Sequence, residues 1–147
     1  MVKRIKFKHF KPEEIRIMKE FMYRRIIEGE YIFDVRLYPP ERPLRPFETP
    51  EDYRIWQILH AKRIDAVCET PDTIYIIEVK DILRPSAVGQ VLTYMVLFEE
   101  QFKPRKKLKP VIVAGEDDPQ MHSVCRRYNI DWYVMDIVTR RKRILGI

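Results

Sequence analysis

The chain has 147 residues, a length that suits one domain around a single hydrophobic core. Hydrophobic residues make up 46% and charged residues 34% of it, which excludes an intrinsically disordered chain, and no apolar run approaches the roughly 20 residues that span a bilayer. The net charge of +6 favours polyanionic partners. The charged N-terminus lacks the apolar stretch of a signal peptide and the two cysteines match no zinc spacing, so we expect a cytoplasmic protein without a membrane partner.

The first predicted elements are an edge strand and a helix. Residues 2–8 alternate apolar and basic side chains, as a short edge strand does. Pro12 suits the first turn of a helix because its missing N–H needs no partner there, and two glutamates follow it. Apolar residues then recur at helical spacing until Gly29. We therefore expect a helix over residues 12–28 with its apolar stripe on the core.

A strand and a proline-rich segment come next. Residues 31–38 alternate so that four apolar side chains share one face of a strand: Tyr31, Phe33, Val35 and Leu37. Five prolines between residues 39 and 50 fit neither a helix nor a ladder, so they predict a stiff excursion within one domain spanning residues 1–147. Pro43 and Pro46 match a PxxP partner motif, but such short motifs often match by chance, which favours a structural role. Residues 51–61 fit either a short helix or an extension of the next strand.

Residues 63–80 predict two apolar strands joined by a tight turn. The polar exceptions are Asp65 in the first strand and Glu78 with Lys80 at the end of the second. Because side chains of a strand alternate, Glu78 and Lys80 share one face and Val79 lies on the other. Unpaired charge on a buried surface is costly. A divalent metal ion held by the two acids would supply the missing counter-charge.

The remaining chain alternates helices with strands. We expect a helix from about Ser86 to Phe102, a buried strand at residues 111–114, a helix at residues 118–128 and a final strand at residues 132–138. The order is therefore helix, three strands, helix, strand, and then a further helix and strand. This order predicts the α/β class, with a central mixed sheet flanked by helices.

The hairpin and the helix after it resemble a known superfamily. Asp65 followed by Glu78-Val79-Lys80 resembles the motif of the PD-(D/E)XK nucleases, which have the restriction-endonuclease-like fold with an αβββαβ core; Ile64 replaces the proline, as is common there. Gln90 and Tyr94, one helical turn apart on one face, are similar to the Gln-x-x-x-Tyr element of RecB-like nucleases. The resemblance covers most of the chain, since the predicted order of elements is also that of the family core.

The resemblance implies metal-dependent hydrolysis of phosphodiester bonds, with Mg²⁺ or Mn²⁺ as the cofactor. Asp65, Glu78 and the carbonyl of Val79 would bind the ion, because hard divalent cations take oxygen ligands and neutralise charge on the scissile phosphate. Lys80 would orient the attacking water or help to deprotonate it. A buried ion pair between Asp65 and Lys80, without metal, is the alternative for the hairpin.

Three further residues complete the expected site. Gln90 and Tyr94 would position the nucleic-acid backbone or the water, although a polar helix residue and a half-buried tyrosine could equally serve the fold alone. Many superfamily members add an acid from the first helix. Glu14 is our candidate because it lies beside the apolar stripe, but an acid in a first turn also suits the helix dipole alone.

Basic residues are candidates for phosphate contacts, since binding to the nucleic-acid backbone needs only clustered positive charge. They are Lys62, Arg63, Lys103, Arg105, Lys106, Lys107, Arg140 and Arg141. Solvated surfaces are an equally good interpretation of the clusters after residue 102. His60 could also touch phosphate, but a surface histidine is the favoured interpretation.

These features together predict a metal-dependent DNA endonuclease or exonuclease, with RNA as an alternative polymer. A catalytically inactive nucleic-acid-binding module of the same fold is the second hypothesis, and an assembly protein that uses the proline-rich excursion is the third. The chain leaves little room for a specificity domain. We therefore expect structure-selective or nonspecific cleavage, or help from a second copy in a homodimer or from a larger replication or repair complex.

Overall fold

The computed structural model describes residues 9–137. The helices are α1 (Pro12–Tyr23), α2 (Pro50–His60), α3 (Pro85–Phe102) and α4 (Gln120–Arg127). The strands are β1 (Glu30–Leu37), β2 (Lys62–Glu69), β3 (Thr73–Ile82), β4 (Lys107–Glu116) and β5 (Asp131–Val134). The strand predicted at residues 2–8 and the basic pair Arg140 and Arg141 lie outside the described residues. No helix in the described part of the chain is long and apolar enough to cross a membrane.

The five strands form one mixed sheet in the order β1-β2-β3-β4-β5. The first three are antiparallel neighbours, and β3, β4 and β5 run parallel to one another. Parallel neighbours need a crossover, which α3 and α4 provide. The predicted α/β class with a helix-flanked mixed sheet is therefore confirmed.

Both faces of the sheet are buried. The residues of β3 alternate between them: Ile76 belongs to the core cluster under α3, whereas Ile77 and Val79 belong to the cluster under α1. The same alternation places Glu78 and Lys80 on the α3 face. The charged residues of the hairpin thus lie between the sheet and the helix that follows it.

The helix predicted over residues 12–28 is wrong at its C-terminal end. α1 ends at Tyr23, and Arg25 adopts a left-handed conformation with φ of 51° that a helix cannot continue. Ile26, the last apolar residue of the helical spacing, nevertheless packs against the α1-side cluster. The spacing that suggested a longer helix therefore includes a loop residue that lies on the core.

The prediction of one apolar face for β1 is also wrong. The four side chains divide between the two faces of the sheet, with Tyr31 and Phe33 on the α1 side and Val35 and Leu37 on the α3 side. The change occurs at Asp34, whose φ of 55° is left-handed. In the partner strand, Ile64 and Ala66 belong to opposite clusters as well, so the switch there falls at Asp65. Both strands thus change their buried face at the level of the candidate site.

Residues 51–61, which the sequence left open, lie in a helix. The Thr49 side chain accepts from the N–H of Asp52 and the Asp52 side chain accepts from the N–H of Thr49, which starts α2 with a reciprocal cap. Before the helix, Arg42 makes two hydrogen bonds with Glu48 at 2.8 and 3.0 Å. Its guanidinium lies 4.2 Å from the ring centre of Trp56. The proline-rich excursion is thereby fixed against α2.

The later strands differ from their predicted bounds. β4 is longer than residues 111–114 because Lys107 already pairs with Thr73, and Pro110 lies within the strand. β5 ends at Val134, earlier than predicted. These shifts leave the order of elements unchanged.

Candidate active site

Asp65 lies on β2 where the main-chain pairing with β3 stops. The last pair of that ladder is Ala66 with Ile77, and one residue further the Asp65 Oδ2 accepts a hydrogen bond from the N–H of Val79 at 2.8 Å. Asp65 is partly buried, and the loss of water around its carboxyl group raises its pKa; the nearby Glu14 adds to that effect, while the Val79 N–H opposes it. One carboxylate oxygen is thus engaged by the backbone of the neighbouring strand.

Glu78 is the more deeply buried acid. The residue is 4% exposed, and its Oε2 has no hydrogen-bond partner within the described residues. Burial raises the pKa of Glu78 well above its ordinary value, and repulsion by Asp65 raises it further. The two acids therefore influence each other's protonation, and both have a pKa above its ordinary value chiefly because they are buried.

Lys80 offers this pair only a weak counter-charge. Its Nζ lies 3.9 Å from Glu78 Oε1, which is beyond a hydrogen bond. Among the described residues, it forms no ion pair with Asp65, so the buried Asp65–Lys80 pair that we considered as an alternative is not observed. The Lys80 side chain is 23% exposed and lines the neighbouring cavity, where it can meet a ligand.

The donor set fits a hard divalent cation. Asp65 and Glu78 provide carboxylate oxygens, one of them unpartnered, and a protein rarely buries such an oxygen without a partner. In residues 9–137, no three His, Cys, Asp or Glu side chains converge closely enough to form a complete metal site. The remaining ligands of an ion would therefore come from the main chain, water or substrate.

The α3 helix brings Tyr94 towards this pair, and Gln90 lies one turn before it on the same helix. The Oε1 atom of Gln90 is buried and lacks a hydrogen-bond partner. Tyr94 packs against the α3-side cluster, and its pKa is raised to about 12 by burial and by the charges of Glu78 and Asp65. Its hydroxyl group therefore stays protonated and can donate a hydrogen bond. Tyr94 is therefore close enough to both acids to be influenced by their charges.

Glu14 also lies close to the site, at the N-terminal end of α1. Its Oε2 accepts the N–H of Lys11 at 3.2 Å, so part of its role is to cap the helix. Burial raises the pKa of Glu14, and the charge of Lys80 lowers it. The charge of Glu14 in turn raises the pKa of Asp65 and of Glu78. Glu14 is thus placed to act in the site and in the helix cap together.

A cavity of about 400 Å³ opens beside Lys80. Its lining includes Glu14 together with residues for which no site role was predicted: Lys11, Glu13, Asp81, Arg84 and Ser86. Asp81 forms an ion pair with Arg84 at 3.1 Å. Asp81, Arg84 and Ser86 follow directly after Glu78-x-Lys80, where a connection to the next helix was expected, whereas Lys11 and Glu13 lie at the start of α1.

Comparisons with known proteins bear on the fold. No family model and no curated protein matches the chain. Among solved structures, the chain is similar to a repair endonuclease from Pyrococcus abyssi, with a TM-score of 0.51 and 17% sequence identity, over 88% of this chain and 49% of that one. The chain therefore spans about half the length of that endonuclease.

This similarity supports the predicted restriction-endonuclease-like fold, with its mixed sheet and flanking helices. At 17% identity it shows the fold alone and does not bear on the Gln90–Tyr94 element. The roles of the individual site residues stay predictions.

The basic candidates lie at two ends of the sheet. Lys62 and Arg63 begin β2 near the site, and Arg63 is close enough to Tyr94 to lower its pKa. Lys107 pairs with Thr73 at the opposite end of β3, seven residues from Lys80 or about 23 Å along the strand. The cluster after α3 is therefore distant from the two acids.

Two of the other candidates have protein partners. Lys106 Nζ lies 2.7 Å from Glu69 Oε1 and also donates to the carbonyl of Thr70, so it holds the hairpin turn. His60 is exposed, and its Nδ1 lies 2.9 Å from the carbonyl oxygen of Trp56. These contacts favour structural roles for both side chains.

Proposed function

We propose that this protein is a divalent-metal-dependent nuclease that hydrolyses phosphodiester bonds of DNA at a site built on Asp65, Glu78 and Lys80. The observation that carries the proposal is the buried Glu78 carboxyl group, whose Oε2 has no partner although a second acid lies beside it. Such a pair is unfavourable in the folded protein unless a cation neutralises it. Mg²⁺ and Mn²⁺ match the all-oxygen donor set.

Each residue of the pair would have a distinct role. Asp65 and Glu78 would bind the ion together with the Val79 carbonyl, as in the PD-(D/E)XK superfamily that the hairpin resembles. When bound, the ion neutralises the negative charge that builds up on the scissile phosphate. The Asp65 side chain also holds the Val79 N–H, so the peptide unit next to the carbonyl ligand is fixed in place.

Lys80 and the α3 residues would act on the substrate. The Lys80 ammonium group borders the cavity and would orient the attacking water and a phosphate oxygen. The protonated hydroxyl group of Tyr94 and the amide of Gln90 would hold the backbone or the water by hydrogen bonds. The unpartnered Oε1 of Gln90 leaves an acceptor for the water, whereas phosphate oxygens would need its amide N–H groups.

DNA is the proposed polymer because the structural neighbour is named a repair endonuclease and the chain carries a net charge of +6. Arg63, exposed and near Tyr94, would contact a phosphate next to the scissile one. The lengths of the products in the cleavage assay distinguish an endonuclease from an exonuclease.

The test is cleavage of labelled single-stranded, duplex and branched DNA with Mg²⁺ or Mn²⁺. Asp65→Asn and Glu78→Gln keep the shape of each side chain, and we expect each to lower the rate by at least about 1,000-fold. Asp72→Asn is the matched control, since Asp72 is an exposed acid in the turn at the far end of the hairpin. Its rate should equal that of the wild type.

Two results would count against the proposal. If the wild-type protein is as inactive as the Asp65 and Glu78 variants on every substrate, the enzyme hypothesis is abandoned. Salt-sensitive DNA binding that does not depend on metal or on Lys80 would then identify a non-catalytic binding module.

A further inference from the structure

The cavity beside Lys80 has a second cationic side chain whose hydrogen-bonding capacity is only partly used. Arg84 is the N-cap residue of α3 and lines this cavity of about 400 Å³ together with Lys80. Its Nη2 lies 3.1 Å from the Asp81 carboxylate. Its Nε–H is buried and has no hydrogen-bond partner within residues 9–137. Because folded proteins rarely leave a buried donor unpaired, this group indicates a place for a ligand or for a bound water.

The ion pair with Asp81 fixes the orientation of the guanidinium group. The Asp81 Oδ1 also accepts the N–H of Ile82 at 2.9 Å, so the carboxylate is held by the main chain at the end of β3. A guanidinium group is planar, and its donors form a fixed fork. With Nη2 bound to Asp81, the Nε–H of Arg84 therefore keeps one direction. Such a preset donor suits an oxyanion with several acceptor oxygens.

The charged groups at the cavity differ in how far the protein already uses them. Acids and bases line it in equal number: Glu13, Glu14, Asp81, Lys11, Lys80 and Arg84. Glu14 accepts the N–H of Lys11, and Asp81 is bound by Ile82 and Arg84. The nearest carboxylate to the Lys80 Nζ is that of Glu78, at 3.9 Å. Two of the acids are thus engaged by protein donors, whereas Lys80 and Arg84 keep N–H groups for an anion.

The first turn of α3 lies beside these two cations. It has neither a side-chain cap nor an acidic residue. The exposed Ser86 in this turn also lines the cavity, so its hydroxyl group can donate there. A helix of 18 residues directs N–H groups and the positive end of its dipole towards its start. The helix therefore supports an anion at the site that Lys80 and Arg84 define.

We propose that Arg84, Lys80 and Ser86 form a phosphate-binding subsite beside the candidate metal site. Its ligand is a phosphate group, either of the DNA strand or of free phosphate. The assignment to a DNA strand rests on the proposed function, whereas the binding of phosphate does not. Lys80 lies near Glu78 and also lines the cavity. A strand phosphate held by Arg84 would therefore lie next to the one that is cleaved, and Arg84 would position the substrate.

A nuclear magnetic resonance titration of the whole chain tests the subsite at the proposed atom. The ¹⁵N–¹H signal of the Arg84 Nε–H is followed at pH 6 with EDTA present and is identified by its absence from Arg84→Gln. The probes are inorganic phosphate and the thymidine dinucleotide TpT, whose single phosphate is a backbone diester. We expect a saturable shift of this signal with at least one probe. The Nε–H signal of Arg127, an exposed residue of α4, is the internal control and should not shift.

Variants test the contribution of Arg84 to affinity. We expect Arg84→Gln to weaken probe binding, measured from the ³¹P signal of the probe, by about 10-fold or more because a charge-assisted hydrogen bond is lost. Arg84→Lys keeps the charge without the fork and should be intermediate. Arg127→Gln makes the same charge change elsewhere and should bind as the wild type does. The variants should fold, since the ion pair with Asp81 is about 40% exposed and stabilises little, and circular dichroism checks this.

The two probes identify the source of the phosphate. A saturable shift with TpT assigns the subsite to the DNA strand, and a shift with inorganic phosphate alone assigns it to free phosphate. The proposal is overturned if neither probe shifts the Arg84 signal, or if Arg84→Gln binds the probes as well as Arg127→Gln does. Because the titration involves no cleavage, it can fail in a protein that cleaves DNA and succeed in one that does not.

Discussion

The side chain of Asp65 takes over a hydrogen bond that the main chain of β2 no longer makes to Val79. Backbone pairing of β2 with β3 ends at Ala66 and Ile77, and the Asp65 Oδ2 accepts the N–H of Val79 at 2.8 Å just beyond that point. The charge of the same carboxyl group adds to burial in raising the pKa of Glu78. Asp65 therefore joins two strands and contributes charge to the site, and substitutions can separate these roles.

Replacing Asp65 by asparagine or alanine should separate stability from activity. Asparagine keeps an oxygen that can accept the Val79 N–H, whereas alanine leaves that partly buried donor unpaired at a cost of about 1–3 kcal/mol. We expect Asp65→Ala to lower the free energy of unfolding by that amount and Asp65→Asn to preserve it, while both abolish cleavage. Denaturant unfolding measures the difference. Equal stabilities of the two variants would contradict the structural role of this hydrogen bond.

The buried Glu78 should make the metal-free protein less stable as pH rises. Its pKa in the folded protein is raised above the ordinary 4.5, so at higher pH the folded state holds a proton that the unfolded chain has released. Stability from this group is complete below pH 4.5 and falls as the pH increases through the folded-state pKa. Glu78→Gln cannot ionise, so with EDTA present it should be more stable than the wild type at pH 8 and equal to it at pH 4.

Urea unfolding at a series of pH values measures this effect. Glu30→Gln is the control, because Glu30 is an exposed acid at the start of β1. Wild-type and Glu78→Gln stabilities that stay parallel from pH 4 to pH 8 would show that the Glu78 carboxyl group is not held in a low-dielectric site.

Gln90→Leu should raise the free energy of unfolding and lower the rate of DNA cleavage. The Oε1 atom of Gln90 is buried without a partner, so an apolar side chain of similar size removes an unsatisfied acceptor. We expect an increase of up to about 1 kcal/mol in the free energy of unfolding, together with a lower rate of DNA cleavage. Thermal unfolding and a cleavage assay give the two readouts. A loss of stability with unchanged cleavage would instead indicate a purely structural side chain.

The two groups of basic residues should differ in their effect on DNA binding. Arg63 lies near Tyr94, whereas Lys106 is bound to Glu69 beyond the other end of the hairpin. We expect Arg63→Gln to weaken binding and to reduce the slope of log affinity against log salt by about one. Lys106→Gln should leave that slope unchanged. Fluorescence anisotropy with labelled DNA measures both, and equal effects of the two variants would refute the placement of the substrate at the Arg63 end.

Much of the fold follows from local sequence signals. The helix at Pro85–Phe102 and the hairpin strands were predictable because apolar periodicity and turn residues agreed with one another. Asp65, Glu78 and Lys80 could be grouped because a hairpin brings its strands together and side chains alternate. The pairing of Gln90 with Tyr94 followed from helical geometry alone.

Other features depend on tertiary contacts that periodicity does not encode. The left-handed conformation of Asp34 changes the buried face of β1, and alternation cannot predict such a break. Ile26 packs against the core from the loop after α1, at a position that also matches the helical spacing. The proximity of Asp81 and Arg84 to the cavity depends on how α1 and α3 begin near the same end of the sheet, which no single segment specifies.

The central claim is that Asp65 and Glu78 together bind a divalent cation. Titration of the protein with Mn²⁺, followed by the electron paramagnetic resonance signal of the free ion at pH 8, tests it most directly. We expect the wild type and the Asp72→Asn control to bind Mn²⁺ in competition with Mg²⁺, and Asp65→Asn and Glu78→Gln to lose that binding. Binding by the wild type that is equal in these two variants, or absent at every concentration, would contradict the claim.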